Sequence, residues 1–221
     1  MCDSGTDRRR YLPVGIFVKQ ATPCDSEAAR AGREAVVGSR RAMAESREER
    51  LRATPRERPF HVVLVEPEIP PNTGNIARLC AATCAPLHLV GKLGFRIDEH
   101  AVRRAGLDYW HLVDVRTHPT LEAATESIAA SEPAPLRRWF LSAHSPRSYL
   151  DVAFAPGDVL VFGKESVGLP PELLAQNAEF TLGIPTLGGV RSHNLANAVA
   201  IVLYEALRQT GQLDGAALSA R

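Results

Sequence analysis

Asp158-Val159-Leu160-Val161-Phe162-Gly163 is an apolar run ending in glycine, and Lys164-Glu165-Ser166-Val167-Gly168-Leu169-Pro170-Pro171 follows it as a loop. Phe180-Thr181-Leu182-Gly183-Ile184-Pro185 is a second apolar run that ends in a turn. Gly188-Gly189-Val190-Arg191-Ser192-His193-Asn194-Leu195-Ala196-Asn197 then leads into an apolar helical stretch ending near Arg208. Short apolar runs bounded by Gly and Pro read as buried strands. Two such strands, each delivering a Gly- or Pro-rich loop at its carboxyl end, predict a ligand crevice at one edge of an α/β sheet.

Working outward, Phe60-His61-Val62-Val63-Leu64-Val65-Glu66 is a continuous apolar run suited to a buried parallel strand. Pro67, Pro70 and Pro71 end it, and Asn72 or Thr73 caps a helix whose apolar face holds Ile76, Leu79, Cys80 and Thr83. Asn75 and Arg78 leave the first turns of that helix, beside the carboxyl end of the strand, where sheet enzymes place ligands. Further strands are expected at 86–91, 111–116 and 139–142, and further helices at 98–105, 121–130 and 192–209. Strands alternating with helices give a mostly parallel α/β sheet flanked by helices. Arg103 and Arg104 precede Tyr109 and Trp110. That pairing suits phosphate contact with base stacking, and equally an ordinary helix end with core aromatics.

The 221 residues, 45% hydrophobic, supply one domain with a real core. No run approaches the ~20 apolar residues of a membrane span. The polar, Arg-rich start has no apolar signal region, so a cytoplasmic protein is expected. Of the four cysteines, Cys80 and Cys84 are four apart without partners at metal-site spacing, so they read as buried reduced thiols, and no metal is expected. Residues 1–58 hold 13 Lys+Arg against 9 Asp+Glu, a net of +4, while 59–221 hold 13 against 16, a net of −3. A nucleic-acid partner therefore cannot be argued from bulk charge and needs a local patch.

Residues 1–58 are charged and poor in aromatics, so the expectation is a disordered basic extension, or sequence upstream of an internal start at Met43. The folded domain is then 59–221. No dinucleotide Gly-x-Gly-x-x-Gly loop, Walker loop or nucleophile elbow is present.

Three blocks together resemble the SPOUT, or α/β-knot, RNA methyltransferases. They are Glu66-Pro67-Glu68-Ile69-Pro70-Pro71-Asn72-Thr73-Gly74-Asn75-Ile76-Ala77-Arg78, Phe162 to Pro170, and Ile184-Pro185 with Arg191 to Val199. Within the superfamily the likeness is greatest to the branch that methylates the ribose 2′-hydroxyl of the tRNA wobble nucleotide, cytidine or uridine 34. It covers about residues 60–210, and Arg103 to Tyr109 also resembles this branch.

The resemblance implies a C-terminal trefoil knot and bound S-adenosylmethionine. It also implies a homodimer in which one subunit's Arg78 nears the other's cofactor pocket. The matching cofactor positions are Leu141, Gly163, Glu165, Gly168, Leu169, Ile184, Ser192 and Leu195, with glycine at 163 and 168 keeping a β-carbon out of ligand space. Arg78 and Glu165 match the catalytic positions, supported by Asn72 and Asn75. Arg103, Arg104, Tyr109, Arg191, Asn194 and Tyr204 match substrate-binding positions. The implied substrate is tRNA; ribosomal RNA, or RNA binding without catalysis, are the alternatives. His144-Ser145-Pro146-Arg147 departs from the Thr-Lys-Gly pattern of the family, and residues 1–58 are foreign to its compact members.

Overall fold

In the computed structural model, which describes residues 49–55, 57–95, 112–132 and 135–219, six parallel strands form the central sheet. They are His61–Val65 (β2), Leu87–Val90 (β3), Val115–His118 (β4), Arg138–Leu141 (β5), Val159–Phe162 (β6) and Thr181–Leu182 (β7). Their order is β4-β3-β2-β6-β5-β7. Five fall on the apolar runs, whereas β4, Val-Arg-Thr-His, is mostly polar and begins later than expected, and β7 has only two residues, because Phe180 closes a short 3-10 turn. Arg50–Arg52 (β1) pairs with Ala217–Ser219 (β8) as a separate two-stranded sheet. β1, and the bond from Arg58 Nε to Glu132 Oε2 at 2.9 Å, lie on the extension side of the expected boundary at 58.

Both faces of the sheet are covered, which is why its strands read as unbroken apolar runs. Helices α1 (Pro70–Thr83) and α4 (Leu195–Gln209) cover one face, where Ile76, Ala77 and Cys80 meet Val199, Val202 and Leu203 over Val62, Leu64, Leu160 and Phe162. Helix α2 (Leu121–Ala129) covers the other with Leu121, Ala124 and Ile128 over Val63, Val90, Phe140 and Val161. Helix α3 (Pro171–Gln176) adds Leu173 and Leu174 to that side. The buried Asp158 carboxylate is satisfied by the Arg137 guanidinium, Trp139 Nε1 and the Ala155 amide, which fixes the starts of β5 and β6.

Three local expectations are corrected. Pro70 and Pro71 begin α1, since their fixed φ suits the first helical positions and their missing N–H groups are not needed there. Asn72 and Thr73 accordingly sit inside the first turn, and neither caps the helix. Helix α4 starts after Asn194, whose side chain accepts the Ala196 amide at 2.9 Å, so Ser192 and His193 precede it. Cys80 is buried, and burial pushes its thiol up to about 12. Cys84 is exposed, because it forms the left-handed C-cap of α1, with φ of 53°.

The connection after β5 doubles back on β7. The Ser142 amide donates to Leu182 O at 2.9 Å, and the Gly183 amide donates to Arg147 O at 2.8 Å. The Tyr149 amide returns to Gly183 O at 3.0 Å, and Ser145 Oγ donates to Thr181 O at 2.8 Å. Arg147 also donates to the Glu179 carbonyl and lies over the Trp139 ring. Residues 142–149 thus hold the 181–183 segment from both sides.

Candidate active site

Helix α1 begins without a side-chain cap of its own, since Ile69 is its N-cap residue. Glu165, from the loop after β6, supplies one. Its Oε2 accepts the Glu68 amide at 2.8 Å, and its Oε1 accepts the Ile69 amide at 3.2 Å and Asn72 Nδ2 at 3.0 Å. A carboxylate there meets both the open amides and the positive end of the helix dipole. Asn72, only 7% exposed, continues the network, because its Oδ1 accepts Asn194 Nδ2 at 2.9 Å. Glu165, Asn72 and Asn194 therefore join the three sequence blocks at the carboxyl edge of the sheet.

The Glu165 loop is fixed from several directions. Glu68 Oε2 accepts the Ser166 amide at 3.1 Å, which returns the bond that Glu165 takes from Glu68. Lys164 Nζ stands 2.5 Å from Glu66 Oε2, which holds the Glu66 carboxyl below its usual range and raises the Lys164 ammonium. Lys164 and Gly168 exchange backbone bonds across the loop. A β-carbon at Gly163 would lie 2.2 Å from Gly168 C and 2.3 Å from Leu169 N. Glycine there makes room for the loop's own backbone, which corrects the expectation of ligand space. At Gly168 the reason is conformational, with φ of +75° and open space around the missing β-carbon.

Leu141 is buried in the core cluster that Ile184 and Leu195 pack against, so these three matched cofactor positions belong to one apolar cluster. Leu169 packs in the cluster on the opposite face, leaving its backbone for the site side. Ser192 and Arg191 are exposed before α4. β6 and β7 are not neighbours in the sheet, since β5 lies between them, so the crevice loops come from three strands. The open Gly168 position beside apolar side chains and a polar loop suits a ligand with an apolar ring and a charged tail.

Asn75 and Arg78 are exposed on one outward stripe of α1, and Tyr204 is exposed on α4. Arg103, Arg104 and Tyr109 lie outside the described residues. Glu66, Glu68 and Lys164 were not singled out in the sequence, where their partners stand about a hundred residues away. His193 has a buried Nε2 atom with no hydrogen-bond partner, beside Asn194. Among the described residues no His, Cys, Asp and Glu group is arranged to hold a metal ion.

A parallel α/β sheet with a tied loop cluster at its carboxyl edge is the arrangement in which α/β proteins place ligand sites. The chain belongs to the SpoU rRNA Methylase family, whose model matches residues 59–204. It is 49% identical over 159 residues to a tRNA (cytidine(34)-2′-O)-methyltransferase of Acidovorax sp. (strain JS42), a match spanning 70% of this chain and 94% of the relative. A solved structure described as giving structural insights into the 2-OH methylation of C/U34 on tRNA is 47% identical, with a TM-score of 0.62 over 69% of this chain and 96% of that one. The SpoU methyltransferase AviRb from Streptomyces viridochromogenes, solved in complex with the cofactor AdoMet, is 27% identical, with a TM-score of 0.60 over 70% of this chain and 61% of that one.

Proposed function

We propose that the protein transfers a methyl group from S-adenosylmethionine to the ribose 2′-hydroxyl of nucleotide 34 of tRNA. The observation that carries this reading is the Glu165–Asn72–Asn194 network, which ties all three family blocks into one edge site. Near-full-length likeness to proteins named for that activity supports it, at 49% and 47% identity against 27% for the AviRb enzyme. The work is done by a cytoplasmic homodimer whose chain is knotted at its C-terminal end. The 142–149 connection, bonded to both sides of 181–183, supports the knot. No helix of the described residues is long and apolar enough to cross a membrane.

The cofactor supplies an electrophilic methyl on a sulfonium. Leu141, Ile184 and Leu195 would hold its adenine, and the 163–169 and 184–192 loops would offer polar groups to its tail. Both oxygens of Glu165 are committed to α1 and Asn72, so Glu165 is a positioning residue rather than a free base. It fixes the start of the helix that carries Asn75 and Arg78. Arg78 points outward from that helix and works across the dimer, where its planar fork grips the phosphate beside the target ribose and aligns the hydroxyl with the methyl. With Glu165 committed to the helix, the hydroxyl proton passes to solvent water as the oxygen takes the methyl group. Arg191 and Tyr204 flank this approach, and Arg103, Arg104 and Tyr109 contact the RNA.

Arg78→Ala is expected to cut single-turnover methyl transfer roughly 100-fold or more, the scale of a positioned catalytic group, with cofactor affinity unchanged. Arg78→Lys fails as well, since an ammonium cannot reproduce the fork. Near-wild-type rates in both variants would remove Arg78 from the mechanism.

A further inference from the structure

Three histidines stand on three adjacent strands and touch in sequence. His61 Nδ1 lies 3.2 Å from His88 Nε2, and His88 Nδ1 lies 3.0 Å from His118 Nε2. At the other end His61 Nε2 lies 3.2 Å from Glu132 Oε1, and Glu132 Oε2 accepts Arg58 Nε at 2.9 Å. His61 and His88 are 2% and 0% exposed, while His118 is half-buried on the edge strand β4. The other charged groups near the line are Asp114, just before β4, and Arg116 on it, paired with each other. Helix α2 buries Leu121, Ala124 and Ile128 on this face of the sheet, and Arg138 of β5 donates to Thr125 Oγ1. The line has no part in the proposed reaction.

Its direction follows from its fixed end. A carboxylate paired with Arg58 accepts, so His61 carries its proton on Nε2 and accepts at Nδ1. His88 Nε2–H then donates to His61, and His118 Nε2–H donates to His88. One added proton entering at His118 Nδ1 reverses every imidazole bond and breaks none. It leaves His61 as an imidazolium against Glu132, with His61 donating to His88 and His88 to His118. A second proton entering at His118 Nε2, the half-exposed end, sets that N–H against the His88 Nδ1–H, and the side-chain bond between β3 and β4 is lost.

We propose that Glu132, His61, His88 and His118 form a proton-operated latch on β4, closed with none or one added proton and opened by a second. Among the described residues β4 pairs only with β3 in the sheet, so it is the strand that the latch frees. Burial disfavours charge on all three imidazoles, which places the opening on the acid side of neutrality.

Long-range nitrogen–proton NMR and native-state hydrogen exchange on the full chain, without RNA or cofactor, test this. Near pH 7.5 all three rings are expected as Nε2–H tautomers. On acidification the first doubly protonated ring is His61, the deeply buried one, rather than half-exposed His118. With further acid the amides of 115–118 lose roughly tenfold or more protection relative to those of 159–162. In His88→Leu that ratio no longer depends on pH. Should His88→Leu fold poorly, His118→Gln removes the entry point and gives the same loss of pH dependence. Independent titration with His118 first, or an equal acid loss of β4 protection in the variants, overturns the proposal.

Discussion

Glu165→Ala separates a positioning carboxylate from a catalytic base. The change removes the only side-chain cap seen on α1 and leaves the Glu68 and Ile69 amides open. Losing such a cap costs about 1 kcal/mol, and losing a negative charge at a helix start about 0.5 kcal/mol more. Asn72 Nδ2, nearly buried, loses its acceptor at a further ~1 kcal/mol or more. Glu165 is itself half-buried, so water offsets part of this, and a net loss of about 2 kcal/mol is expected. For a domain of this size that lowers Tm by about 4–8 °C. Glu165→Gln keeps the shape but turns an NH₂ group toward the Glu68 amide, so it recovers only part of the loss. Differential scanning fluorimetry beside single-turnover methyl transfer reads both effects, and Tm and activity are expected to fall together, more in Ala than in Gln. Unchanged Tm with lost activity in both variants would refute the capping argument and restore Glu165 as a base.

Two further outcomes follow from local geometry. Gly163→Ala forces the 163–169 loop away from a β-carbon 2.2 Å from its backbone, so it should lower stability by roughly 1–3 kcal/mol and weaken cofactor binding; calorimetry and thermal melts with wild-type values would contradict this. Acid should destabilise the fold, because burial pushes His88 down to about 3 in the folded protein while the unfolded chain takes up that proton near 6.5. Stability from His88 is thus present above about pH 6.5 and lost as pH falls toward 3, about 2 kcal/mol by pH 5; urea melts that are flat from pH 7.5 to 5 would contradict the sign.

Much of the fold was legible because unbroken apolar runs such as Val62-Val63-Leu64 can only be strands covered on both faces. The same continuity hides strand order, since no alternation marks a neighbour, and β5 between β6 and β7 could not be read. The loops of the site were legible as clusters of Gly, Pro and Asn. The work of Glu165 was not, because its partners stand 93 to 97 residues away and a lone loop glutamate carries no local signal. The start of α1 was misread for the same reason: a distant side chain replaced the cap expected from Asn72 or Thr73. His61, His88 and His118 each sit singly in an apolar strand, so their contact is created by strand order and register alone.

Ribose methylation at nucleotide 34 is tested most directly by methyl transfer from labelled S-adenosylmethionine to two synthetic tRNAs that differ only there. One carries cytidine at position 34, the other 2′-deoxycytidine. The account predicts label on the first, recovered as 2′-O-methylcytidine after nuclease digestion, and none on the second. Equal labelling of both tRNAs, or of neither while ribosomal RNA is labelled, would contradict it.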